Sequence, residues 1–94
     1  MPAALLLAAA LAWPALSPDA NRQLAKAPRD IAAYAERRAE CEHWGGEEPY
    51  DKDRLAEINR AVRELRCSRL DADRRALARK YAKRKDWVRL LDAE

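Results

Sequence analysis

Residues 41–51 read CEHWGGEEPYD, and they bring a cysteine, the chain's single histidine, a tryptophan, both glycines and a Pro-Tyr pair into eleven positions. Whether this stretch is a working site or a disulfide-anchored turn between helices decides the fold. Hydrophobic spacing on both sides of it is helical, and no alternating run rich in β-branched residues appears. Upstream, Pro28 suits a first helical turn, and Ile31, Tyr34, Arg38 and Cys41 recur three or four apart until Gly45-Gly46 stops the pattern. Downstream, Asp51 or Asp53 can cap a second helix whose stripe is Leu55, Ile58, Val62 and Leu65, ending near Cys67. Leu70, Leu77, Tyr81, Val88 and Leu91 then mark a third helix, or two helices if Asp86 restarts it. The expectation is an all-α domain: a bundle of three helices, or four.

Cys41 and Cys67 are the only cysteines. An even count in a short exported chain reads as one disulfide; in a reducing compartment the same residues are free thiols or metal ligands. Export is suggested by residues 2–16, PAALLLAAALAWPAL, which carry no charge. That run suits a signal-peptide core and is short for a membrane span, which takes about 20 residues. The expected leader is residues 1–20, cut near Ala12 or Ala20, followed by a single domain over 21–94. Ser17-Pro18-Asp19 also reads as the start of a short helix through Lys26.

If both cysteines sit at helix ends, a plain antiparallel hairpin holds them about 20 Å apart, whereas a disulfide needs Cα atoms within about 7 Å. Three solutions stand: residues 42–50 run back along the second helix, the two helices pack steeply, or Cys41 meets the C-terminal half of the other helix. The expectation drawn is an ordered, extended strap over 42–50 lying across the second helix.

Charge is unevenly placed. Residues 41–53 hold five acids against Lys52, a net of −4, and residues 74–85 hold seven bases and no acid, a net of +7. Arg74, Arg75, Arg79, Lys80, Lys83, Arg84 and Lys85 therefore form a candidate surface for polyanions or for peripheral contact with an anionic membrane. The plainer reading is a solvated helix face partly neutralised by the acidic stretch. No RNA- or DNA-binding motif accompanies the run, and nucleic acid is not an expected partner.

Around the turn, His43, Trp44, Glu47, Glu48 and Tyr50 form a candidate recognition patch, since aromatic residues beside charges suit binding surfaces. Equally, Trp44 and Tyr50 can plug a small core, and the acids can serve the first turn of the next helix. A Cys41–His43 nucleophilic pair, or zinc held by Cys41, His43, Cys67 and Glu47, requires reduced thiols and matches no paired-cysteine spacing. Neither metal nor cofactor is expected, and the chain is read as non-enzymatic.

The segment Cys41-Glu42-His43-Trp44-Gly45-Gly46-Glu47-Glu48-Pro49-Tyr50, followed by a charged helix, Cys67 and a basic helix, resembles small exported proteins of Gram-negative bacteria that share a C-x-H-W-x-G-E-x-P-Y segment. The resemblance covers roughly residues 38–92 and implies a periplasmic or secreted helical domain with one disulfide; it implies no activity. The general plan is also similar to bacterial lysozyme-inhibitor lipoproteins, but no lipobox cysteine follows the leader and the cysteine spacing differs. The function expected is binding or structural, with an unknown protein or envelope component as partner.

Overall fold

The computed structural model describes residues 16–94 and is all-α, with no strand among them. Five helices follow in order: α1 (Pro18–Leu24), α2 (Arg29–Gly45), α3 (Lys52–Glu64), α4 (Leu70–Lys80) and α5 (Lys85–Leu90), with a 3₁₀ turn at Cys67–Arg69. The last helical run is therefore two pieces. Tyr81 closes the break by donating its hydroxyl to Asp30 at 2.8 Å and packing edge-on against Trp87, so that α5 can fold back.

The core is small. Leu16, Ala20, Leu24, Ile31, Tyr34, Ala35, Ala39, Leu90 and Leu91 form one buried cluster, with Ile31 and Leu91 fully enclosed. Leucine and isoleucine side chains each contribute about 1.5–3 kcal/mol on full burial, and the alanines let helices approach closely. Helix α1 is started by Ser17, whose Oγ accepts from Ala20 N at 3.0 Å, and by Pro18 in the first turn. It delivers Ala20 and Leu24 to the core. The Ser17 amide donates to the Glu94 carbonyl at 3.0 Å, tying the first turn to the last residue. Among the described residues, Leu16, Ser17 and Ala20 thus already belong to the packed domain. Residues 1–15 of the expected leader lie outside the described residues.

Helix α2 runs one turn beyond Cys41, so residues 42–45 are helical and the expected strap over 42–50 shortens to residues 46–51. Gly45 is tolerated within the helix, and the Gly46 amide closes it by donating to the Glu42 carbonyl at 3.0 Å. A Cβ on Gly46 would meet that same carbonyl at 3.3 Å, so the approach suits glycine.

Cys41 and Cys67 are joined, with Cα atoms 5.7 Å apart. Cys41 lies four residues before the end of α2 and Cys67 lies beyond the end of α3. Antiparallel side-by-side packing separates such positions by about 20 Å, so α2 and α3 do not form a plain hairpin, and the six residues 46–51 connect them. Arg66 supplies the final bend: it takes left-handed φ 53°, ψ 49°, a conformation glycine usually fills after a helix.

The expected stripe of α3 is only partly used. Ile58 is buried, Val62 and Leu65 are half-buried, and Leu55 is 44 % exposed. No α3 residue joins the main core cluster. The disulfide therefore holds an element that packing holds weakly. Opening it by reduction, or by Cys67→Ser, should lower the unfolding free energy by about 3.5 kcal/mol, the loop-closure value for this span. Chemical denaturation with and without reductant measures this, and amide exchange should show α3 losing protection first.

Candidate functional site

The Trp44 patch is organised by a residue the sequence reading did not single out, Arg54. Its backbone N–H donates to Asp51 Oδ1 at 2.8 Å, which caps α3. Its guanidinium lies 5.1 Å from the centroid of the Trp44 ring, donates to Glu57 at 2.7 Å and pairs with Glu47. His43 meets the edge of Trp44 with ring centroids 5.6 Å apart. Cation–π contact and a planar donor fork together explain why arginine fits this place. The usable signal in the sequence was a tryptophan and a glutamate beside the turn with no cation assigned to them.

Of the five candidate patch residues, the structure gathers His43, Trp44 and Glu47 around Arg54. Glu48 stands exposed, and Tyr50 is 81 % exposed. Tyr50 therefore does not plug the core. Trp44 is half-buried beneath Arg54. The two sulfurs are bonded to each other, so the Cys41, His43, Cys67 and Glu47 ligand set is not formed; among the described residues no group of three His, Cys, Asp or Glu side chains is placed to hold a metal ion.

The basic segment is largely matched within the chain. Arg74 binds Asp92 through two donors at 2.8 and 2.7 Å, and Arg75 reaches Asp71 at 2.5 Å. Lys80 meets Asp30 at 2.7 Å, while Arg84 pairs with Asp86 at 3.0 Å and stacks 3.5 Å from the Trp87 centroid. Arg79, Lys83 and Lys85 are exposed and form no ion pair among the described residues. The neutralising acids are Asp30, Asp71, Asp86 and Asp92, not those of residues 41–53 as expected. Sequence order hid this for two of them, because Asp30 arrives from α2 and Asp92 from beyond the end of α5.

These contacts shift the carboxylates. The Lys80 hydrogen bond holds Asp30 below the usual carboxylate range, partial burial opposing it and the Tyr81 hydroxyl adding to it. Arg74 does the same for Asp92. On the other side of α2, Glu40 is pushed up, first by burial and then by the Glu36 charge. Between α2 and α4 lies an open groove of about 440 Å³ with Tyr34 and Leu77 among its walls; Arg37 and Asp73 pair across it at 2.7 Å.

Two outcomes test this arrangement. Arg54→Ala should cost about 1–2 kcal/mol of stability through the lost ring and carboxylate contacts, whereas Tyr50→Ala should stay within about 0.5 kcal/mol; denaturant titration separates them. A depressed carboxylate stabilises the fold above its unfolded pKa and loses that contribution as pH falls through its folded value. Asp92→Asn should therefore flatten part of the stability loss seen below about pH 4, read by thermal melts across that range. No protein-family model matches this chain, and neither the curated proteins nor the solved structures provide a match.

Proposed function

We propose that this chain acts outside the cytoplasm, in the periplasm or secreted, as a small non-enzymatic helical module that binds a protein or envelope component. The observation that carries the reading is the Cys41–Cys67 bond, set by the fold at a Cα separation of 5.7 Å. Such bonds persist in oxidising compartments and are rare where thiols are kept reduced. The apolar, uncharged run at 2–16 supports the same compartment. No described helix is long and apolar enough to cross a membrane.

The start of the domain favours one of the two cleavage positions. Cutting after Ala20 removes the buried Leu16 and Ala20, the Ser17 cap and the amide that reaches Glu94. Cutting after Ala12 keeps all four. For binding, the exposed Tyr50 beside the Arg54–Trp44 cluster is the more promising surface. Residues 74–85 support polyanion binding less well, because four of their seven cations already have carboxylate partners.

Intact mass of the protein from its own cells tests the proposal. The expected species begins at Trp13 and takes up two thiol labels only after reduction. A full-length chain that labels without reduction overturns it. Retention on heparin at low salt, lost on modest salt addition, is the result that instead favours the polyanion reading.

A further inference from the structure

Helix α3 is thinly covered, with nine of its residues exposed. Of its thirteen residues only Ile58 is buried, and an isolated helix of about this length is marginal in water without a packed face. On its outer side Asp53, Ala56, Arg60 and Arg63, spaced three or four apart, form one exposed row, with exposed Glu64 beside it.

The charges of α3 and its flanks are ordered along the chain. Residues 47–57 carry five acids against Lys52 and Arg54, a net of −3, and residues 58–69 carry four arginines against Glu64, a net of +3. Acids at the start and bases at the end also suit the helix dipole, which acts on the first and last turns. That effect leaves the outer charges without partners: among the described residues neither Asp53 nor Arg60, Arg63, Arg66 or Arg69 forms an ion pair.

An acid-to-base order is complementary to itself when reversed. A two-fold axis across α3 between Ala56 and Glu57 lays residues 47–56, a net of −2, on residues 57–66 of the second copy, a net of +1. Asp53 then faces Arg60 of the second copy, twice by symmetry, and the small Ala56 at the crossing allows close approach. We propose that α3 is a homodimer surface, pairing antiparallel with α3 of a second copy of this chain through reciprocal Asp53–Arg60 contacts. The interface is isologous and closed, so association stops at two.

Sedimentation velocity of the oxidised protein tests this. A monomer–dimer equilibrium is expected at about 0.02 M salt, weakened at least tenfold at about 1 M, where the screening length falls to about 3 Å. Asp53→Arg alone and Arg60→Glu alone should each sediment as monomer at concentrations where the native chain dimerises. Mixing the two should restore a one-to-one dimer, because both reciprocal contacts are then of opposite charge. Both substitutions are at exposed positions, and far-UV circular dichroism checks that each variant is folded. A native chain that stays monomeric at low salt overturns the proposal, as does a dimer that either variant leaves intact or a mixture of folded variants that stays monomeric. The salt dependence of the native chain is read without either variant.

Discussion

The covalent link between Cys41 and Cys67 is the constraint around which the second half of the molecule is arranged. It joins a residue one turn inside α2 to a residue beyond the end of α3, which rules out a simple hairpin. The left-handed Arg66 turns the chain into Cys67 just after α3. Helix α3 keeps one buried side chain, and the core is assembled almost wholly from α1, α2 and the C-terminal segment. The molecule is therefore two parts of unequal cohesion: a packed cluster, and a helix fastened to it at one end by sulfur and at the other by Arg54.

Ion pairs join helices where apolar contact is sparse. Asp30 links α2 to the end of α4 through Lys80 and Tyr81, Arg37 reaches Asp73, and Arg74 reaches Asp92 beyond α5. Arg38 pairs with Glu42 at 2.6 Å and also donates to the carbonyl of Ala93, fixing the chain's last residues against α2. Most of these pairs are partly exposed, where a single pair contributes about 1 kcal/mol or less. Their value lies in direction: each fixes which face of one helix meets another.

Local pattern made the helices legible. The three-and-four spacing of Ile31, Tyr34, Arg38 and Cys41, the Ser17-Pro18-Asp19 start and the glycine pair all describe interactions within a few residues, and the all-α class followed from them; the disulfide was expected from the even cysteine count beside an uncharged N-terminal run. The tertiary consequences were not legible in the same way. The stripe from Leu55 to Leu65 reads as core, yet the disulfide turns part of it to solvent. At the candidate site, Trp44 and Glu47 were visible as residue types, while Arg54, which organises them, comes from the following helix and carries no distinguishing spacing. The partners of Arg74 and Lys80 were sought in the acidic stretch at 41–53, because Asp92 and Asp30 lie 18 and 50 residues away in sequence.

The loop at 46–51 is exposed around Tyr50 and lies inside the segment that the sulfur bridge encloses. A protease cutting there adds one water to the mass and produces a two-chain molecule. Its halves stay together, because Cys41 remains on one and Cys67 on the other. Such a nicked form keeps the cluster of α1, α2, α4 and α5 assembled and gives α3 a free N-terminus, and it falls apart into separate peptides only when the bridge is reduced. In a compartment rich in proteases and poor in reductant, the same bond that shapes the fold also makes it tolerant of a broken backbone.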